Sequence, residues 1–357
     1  MMKFDIGIIG IKHGHFRGHL ETLQLMDEID NIFLVDKDPD LLNQYQKGDK
    51  IKDVSTDINS VLNNDNIKYA QVLAENHECP SLILQVLQSG KHVIADKPGA
   101  LNATAFEPVA KYAKDNNLIL SMHYTNRLKP ESQKIKSLIE AGAIGRLQSA
   151  QLQIITSTVN SRNPKGWYFQ KEFAGGGILS WLGCHQLDIL RYLTSEEVDN
   201  VTAICRTLSG EDITVEDVAS VSMELSNGMI ATLHGGYLNP AKKGQEVVST
   251  QIPMAIRGTE GGIWIESKGR ETTVFLESTK SPWNHSKQIC YSYSPVDMVP
   301  SGYGGLYGVD FVRKFLTAGQ NENPPPVSGD DILNNLYLLD AIYESNDLKK
   351  QIKVKHI

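Results

Sequence analysis

The sequence predicts an α/β protein of two domains: a doubly wound parallel sheet over residues 1–124, then an α/β domain with a predominantly antiparallel open sheet over 125–357. Three observations carry this reading. The first third alternates short apolar runs with helix-length stretches, which implies right-handed crossovers and a parallel sheet covered on both faces. After about Thr125 the rhythm changes to β-rich runs that follow one another without intervening helices, the pattern of antiparallel pairing. The length of 357 residues exceeds one ordinary core and suits two domains, at roughly 100–200 residues each.

In the first domain the strand candidates are Phe4–Ile9, Ile32–Val35, Tyr69–Ala74, His92–Ala95 and Leu118–Ser121. They are short and apolar, as expected of strands buried on both sides. Helical patterns lie between them at His15–Met26, Pro39–Gln46, Pro80–Gln88 and Ala103–Lys114. The second domain opens with a helix at Glu131–Ala141, a strand at Leu147–Thr156 and a glycine-punctuated helix at Gly177–Leu193. Strand-like runs follow at Val201–Leu208, Val218–Leu225, Met229–Gly235, Met254–Arg257, Gly262–Glu266 and Thr272–Leu276, with Asn227-Gly228 as a hairpin signal between two of them. Helices at Val309–Ala318 and Asp330–Asn346 close the chain, and the basic tail Lys349–Lys355 reads as a solvated last strand.

Composition narrows the function. Hydrophobic residues at 41% and charged residues at 22% give a globular balance. A net charge of -7 and a pI near 5.8 argue against nucleic acid as a partner, because phosphate binding needs a basic surface. No apolar run reaches the ~20 residues of a membrane span, and Asp5 interrupts any signal-like segment at the N-terminus. The four cysteines are widely spaced without a C-x-x-C pair, which reads as reduced thiols in a cytoplasmic protein.

The turn after the first strand reads Gly10-Ile11-Lys12-His13-Gly14-His15. A glycine-rich turn between a first strand and a first helix sets backbone N–H groups against a dinucleotide pyrophosphate. Lys12 stands where the G-x-G-x-x-G pattern has its second glycine, and its ammonium offers charge to the pyrophosphate instead. About 20 residues on, Asp36 ends the second strand, where a carboxylate accepts the ribose hydroxyls of NAD and repels the 2′-phosphate of NADP. The competing reading is a strand-end cap or turn residue before the helix start at Asp38-Pro39, and position and context favour NAD. These features point to a Rossmann domain that binds NAD. His13, His15 and His19 lie close together, but no nearby cysteine or carboxylate completes a shell, so no metal is expected.

Gly90-Lys91-His92-Val93-Ile94-Ala95-Asp96-Lys97-Pro98 resembles the G-K-H-V…E-K-P segment of the glucose–fructose oxidoreductase and inositol dehydrogenase family (Gfo/Idh/MocA), with Asp96 for the usual Glu. The resemblance extends through Asn126-Arg127 with Pro130, Ala141–Gly145, Gly175-Gly176-Gly177 with Gly183, His185 and Asp188, then Arg257–Gly262 and Val327–Asp330. It implies an NAD-dependent dehydrogenase acting on a secondary hydroxyl or ketone of a sugar, cyclitol or polyol. It also implies homodimers or homotetramers formed through the C-terminal sheet. Lys97 then sits at the substrate oxygen and His185 is the acid/base. That chemistry suits the residue types, since hydride loss requires a base near neutral pKa and a cation beside the developing alkoxide.

Two departures from the family pattern stand out. Four residues before His185 the family's usual Asp is replaced by Trp181, which on a regular helix shares one face with His185 and Asp188. Trp181 either offers an aromatic face to a sugar ring or fills core volume. Trp167, Tyr168, Asp188 and Arg127 are further candidates for the substrate pocket. The family's T-P-x-x-x-H loop reads Glu75-Asn76-His77-Glu78-Cys79 after Ala74, leaving Glu75 and Asn76 to meet the ribose or nicotinamide. Two alternatives keep the fold: NAD-assisted glycoside cleavage by transient oxidation and elimination, and a non-catalytic sugar or NAD sensor.

Overall fold

The computed structural model describes residues 3–46, 48–242, 250–268, 271–294, 303–321 and 323–357. The chain divides into two compact units, Met1–Thr125 with Met298–Leu333, and Asn126–Asp297 with Asn334–Ile357. The sequence places the second domain at 125–357 without interruption; the structure instead groups Met298–Leu333 with the first unit.

The first unit runs β1 (Phe4–Ile9), α1 (Phe16–Leu25), β2 (Ile29–Val35), α2 (Pro39–Asn43), β3 (Ile51–Ser55), α3 (Asn59–Leu62), β4 (Ile67–Val72), α4 (Cys79–Gln88), β5 (His92–Ala95), α5 (Ala103–Asp115) and β6 (Leu120–Met122). The strand order is β3-β2-β1-β4-β5-β6, all parallel. This is the doubly wound order, in which the crevice beyond the carboxyl ends of β1 and β4 is the ligand-binding switch point. Ile6, Ile8, Val93 and Ile94 are fully buried, so these strands carry near-continuous apolar sequence. The edge strand β3 is half-exposed and reads Ile-Lys-Asp-Val-Ser, too polar to announce itself. Two helix starts follow local chemistry. The Asp38 carboxylate caps α2 by accepting the Asp40 and Leu41 N–H groups ahead of Pro39, and Pro80 occupies the first turn of α4.

The second unit begins with α6 (Pro130–Glu140), β7 (Leu147–Ser157), α7 (Lys171–Ala174) and α8 (Cys184–Thr194). It continues through β8 (Val198–Arg206), β9 (Val218–Leu225), β10 (Ile230–Asn239), β11 (Met254–Gly258), β12 (Gly261–Lys268), β13 (Glu271–Ser278) and β14 (Ile289–Tyr293). Then come α9 (Gly305–Asn321) in the first unit, α10 (Gly329–Leu348), within which the division falls, and β15 (Ile352–Lys353). The sheet order is β14-β13-β12-β11-β7-β10-β9-β8-β15. Among the described residues only the β7–β10 pair of this sheet is parallel; the other ladders are antiparallel. β9 alternates buried and exposed residues along its length, the signature of a sheet with one packed and one open face. Asn227-Gly228 makes the β9–β10 turn as expected, closed by the Leu225 N–H donating to the Met229 carbonyl at 2.8 Å. Among the described residues no helix is long and apolar enough to cross a membrane.

In the first unit α9 is bound by specific contacts. Tyr303 donates its N–H to the Gly18 carbonyl at 2.8 Å, and the Tyr69 hydroxyl donates to the Leu316 carbonyl at 3.1 Å. Arg313 pairs with Glu28 at 2.6 Å. None of these partners shares a sequence pattern with α9.

Candidate functional site

A cleft of about 1040 Å³ opens at the β1–β4 switch point. Of the sequence-predicted residues it brings together Gly10, Lys12, His13, Asp36 and Glu75. Ile11, Gly14, His15 and Asn76 do not line it. Gly10 is required where it stands: its φ is +90°, and a Cβ there would lie 2.7 Å from the Leu73 carbonyl oxygen. Gly14 has nothing within 4 Å of a would-be Cβ, so the second glycine of the turn is not demanded by packing. The Asp36 carboxylate accepts the Ile11 N–H at 2.7 Å and the Asp38 N–H at 3.0 Å. Asp38 caps the helix, while Asp36 both lines the cleft and braces the turn that precedes the helix. Lys12 pairs with Glu75 at 3.1 Å while its side chain stays 69% exposed. Glu75 also lies 3.6 Å from the His77 ring. The expected cation of the phosphate turn is thus present at the cleft, held by a carboxylate from the loop after β4.

Beside this cleft, the end of β5 delivers Asp96 and Lys97. Both are buried, at 2% and 1% exposure. Asp96 Oδ1 accepts the Lys97 N–H at 2.7 Å, fixing the backbone that carries the lysine. The other oxygen, Oδ2, faces three imidazoles: His15 Nδ1 at 2.7 Å, His19 Nε2 at 3.2 Å and His13 Nδ1 at 3.4 Å. Burial opposes ionisation of Asp96, but His15 and the hydrogen bonds from His15 and His19 outweigh it and hold the carboxyl well below the usual carboxylate range. Burial pushes His13 down to about 3 and also lowers His19, against the pull of Asp96. Burial likewise drives His123, packed 4.2 Å from the His19 ring, well below its ordinary value. The carboxylate missing from the local histidine sequence is therefore supplied from 81 residues away.

In the second unit the glycine run leads into the helix that carries His185. A Cβ on Gly176 would lie 1.8 Å from the Tyr343 hydroxyl, and one on Gly177 would lie 1.8 Å from the Glu216 carbonyl oxygen. These glycines exist because other groups occupy their side-chain space. Buried Glu216 accepts the Gly177 N–H at 2.8 Å, the Leu179 N–H at 3.0 Å and the Tyr343 hydroxyl at 3.0 Å. Burial raises its carboxyl above the ordinary range despite these donors. The stretch Leu179–Gly183 is a π-helical turn before α8, a feature that recurs at functional sites. It corrects the expectation of one regular helix from Gly177, since α-helical spacing holds only from Cys184 onward.

Arg127 and Asp188 engage each other. The guanidinium donates to both carboxylate oxygens, with Nη2 2.6 Å from Oδ1 and Nε 3.0 Å from Oδ2. Their side chains are 8% and 0% exposed. This bidentate pair fixes the residues after β6 to the middle of α8. Trp181 stacks on Tyr168, with centroids 5.0 Å apart at 25°, and meets Trp167 edge-on at 5.6 Å. Trp181 is 8% exposed, whereas Trp167 and Tyr168 are half-buried. The three form one aromatic cluster.

Residues 4–124 match the oxidoreductase family with an NAD-binding Rossmann fold, and residues 132–264 match the GFO/IDH/MocA C-terminal domain. The chain belongs to the GFO/IDH/MocA oxidoreductase family. Its first unit is that family's NAD-binding domain. Among curated members it is 23% identical to the myo-inositol 2-dehydrogenase of Thermotoga maritima over 99% of both chains. It is 22% identical to the D-apiose dehydrogenase of Paraburkholderia graminis, over 99% of this chain and 91% of that one. The fold matches a levoglucosan dehydrogenase in complex with NADH and levoglucosan, with a TM-score of 0.85, 21% identity and full coverage of both chains.

Family motifs located the Asp96-Lys97, Gly175–Gly177 and His185 segments, but not the groups that hold them. Glu216 lies between two β-rich runs and signals nothing by itself. One of the two acidic residues in Val215-Glu216-Asp217 becomes informative only once Gly177 is known to need an acceptor.

Proposed function

We propose that the chain is an NAD-dependent dehydrogenase that moves hydride between the nicotinamide and a secondary hydroxyl or ketone of a sugar, cyclitol or related polyol. Lys97 and His185 are its catalytic pair. The observation that carries this reading is Lys97: an almost wholly buried lysine at the C-terminal end of β5, its N–H fixed by Asp96, in the position where a doubly wound sheet presents its reacting groups. Family members named for inositol, apiose and levoglucosan dehydrogenation support the substrate class.

The cleft fits a dinucleotide. Gly10 leaves the backbone open, the α1 N-terminus follows, and Asp36 stands where ribose hydroxyls need an acceptor. Bound NAD supplies the hydride acceptor. The remaining work falls to the chain: His185 takes the hydroxyl proton as the carbinol is oxidised, and the Lys97 ammonium stabilises the developing alkoxide. The same groups run in reverse for a ketone, with His185 returning the proton. Asp36 favours NAD over NADP by repelling a 2′-phosphate. The aromatic cluster of Trp181, Trp167 and Tyr168 suits the apolar face of a sugar ring. A second copy of the chain is expected on the open sheet face, where Ile204 and Ile230 are 58% and 62% exposed.

The test is NADH formation over a panel of cyclitols, aldoses and anhydrosugars, with Lys97→Ala and His185→Ala in parallel. Each variant should lose about 100-fold or more in kcat while keeping NADH binding and its circular dichroism. Full turnover in both would overturn the assignment. Release of an aglycone without net NADH would redirect it to elimination chemistry, and ligand binding without turnover across the panel would leave a sensor.

A further inference from the structure

His13 and His15 lie two residues apart in the turn between β1 and α1, and Asp96 reaches them from the end of β5. Their donor atoms all fall within 4.8 Å of one another. The 2.7 Å approach of His15 Nδ1 to Asp96 Oδ2 is an ordinary hydrogen bond. The approach of His13 is not. Its Nδ1 accepts the His15 backbone N–H at 3.2 Å, so that nitrogen bears a lone pair and no proton. The same atom stands 3.4 Å from Asp96 Oδ2, another lone-pair atom, with both side chains 1% exposed. Two acceptors facing each other in a desolvated site repel unless a cation lies between them.

The geometry points to a divalent metal site of the zinc class, with His13, His15 and Asp96 as ligands. Bonds of about 2.0–2.1 Å from a tetrahedral ion place neighbouring donor atoms roughly 3.3 Å apart, and the His13–Asp96 separation of 3.4 Å matches that figure; an ion would replace the His15–Asp96 hydrogen bond and its proton. Two imidazoles and one carboxylate suit a zinc-like ion; calcium and magnesium prefer all-oxygen shells. The carboxylate is oriented from outside by His19 Nε2 at 3.2 Å and by the Lys97 N–H at 2.7 Å, as metal-bound carboxylates generally are. Three protein ligands leave a position for an oxygen ligand. The ion would tie the turn after β1 to the segment carrying Lys97. This assignment does not depend on hydride transfer.

The test uses the full chain, free of any polyhistidine tag, stripped with a chelator and titrated with Co²⁺ as a spectroscopic probe and Zn²⁺ for stoichiometry. One equivalent of Co²⁺ per chain should give visible absorption bands that Zn²⁺ abolishes. His15→Ala, at a side chain 23% exposed, should fold normally and lose the bands, as should Asp96→Asn. His19→Phe should weaken Zn²⁺ by about 10–100-fold, the usual effect of removing an outer partner. His77→Ala should change nothing. No saturable Co²⁺ signal in the parent chain, or bands that survive His15→Ala, would overturn the proposal. The His15 variant decides the matter even if Asp96→Asn does not fold.

Discussion

The Arg127–Asp188 pair makes a quantitative prediction. Asp188 is wholly inaccessible and receives both Nη2 and Nε of Arg127 at 2.6–3.2 Å. Removing one member strands the other charge in a buried site, which costs about 3–5 kcal/mol. At 1.4 kcal/mol per tenfold, that is roughly two to three and a half orders of magnitude in the unfolding equilibrium. Replacing both by apolar residues of similar volume removes the stranded charge, so Arg127→Met with Asp188→Leu should recover most of the loss. The assay is favourable because all four tryptophans, Trp167, Trp181, Trp264 and Trp283, lie in the second unit. Tryptophan fluorescence during urea unfolding therefore reports the unit that contains the pair. Single variants costing under about 1 kcal/mol, or a double variant as unstable as the sum of the singles, would refute a holding role. A large rise in KM at unchanged stability would return both residues to substrate contact.

Other perturbations probe the same structure. Gly177→Ala should cost at least the upper end of the ~1–3 kcal/mol typical of overpacking, because its Cβ meets the Glu216 backbone. Gly14→Ala should stay within about 0.5 kcal/mol of the parent, and the two melts read in parallel check both. Asp36→Ser should raise the NADP/NAD ratio of kcat/KM by about tenfold or more, since it removes the charge facing a 2′-phosphate; an unchanged ratio would assign the preference elsewhere. Burial alone would raise the Glu197 carboxyl, but Arg191, bonded twice at 2.6 Å, holds it below its ordinary 4.5. A depressed folded pKa contributes stability above about 4.5 that is lost as pH falls through the folded value. The stability difference between parent and Glu197→Gln should therefore be flat near neutrality and shrink below pH 4.5; a difference growing in acid would contradict the pairing.

The fold was legible wherever one physical rule governed a whole element. Strands buried on both sides must be apolar, which marks β1 and β5 in the sequence, whereas a strand with one packed face alternates, which marks β9. The same rule hides β3, because an edge strand with two exposed positions, Lys52 and Asp53, need not be apolar throughout. β14 is likewise half-exposed at the far edge of the second sheet. The helix before His185 was read as regular because glycine and leucine spacing does not distinguish an α-helical turn from a π-helical one. The difference lies in which carbonyl each N–H reaches, and here Glu216 takes two of the N–H groups at the entry to that turn.

The phosphate turn and the histidines show why a site is harder to read than a fold. By sequence, Lys12 damages the glycine pattern, and three histidines lack a carboxylate. Both judgements treat the turn as a local object. In the folded unit Lys12 is held by Glu75 from the loop after β4, and His13, His15 and His19 converge on Asp96 from the end of β5. Parallel crossovers place the carboxyl ends of β1, β4 and β5 side by side, so residues tens of positions apart share one cleft edge. Spacing rules for helices and hairpins cannot register that adjacency. The strand order can. Once β1, β4 and β5 are recognised as neighbours, the residues following each must be considered as one set. That set contains the cation, the carboxylates and the imidazoles that each local motif lacks.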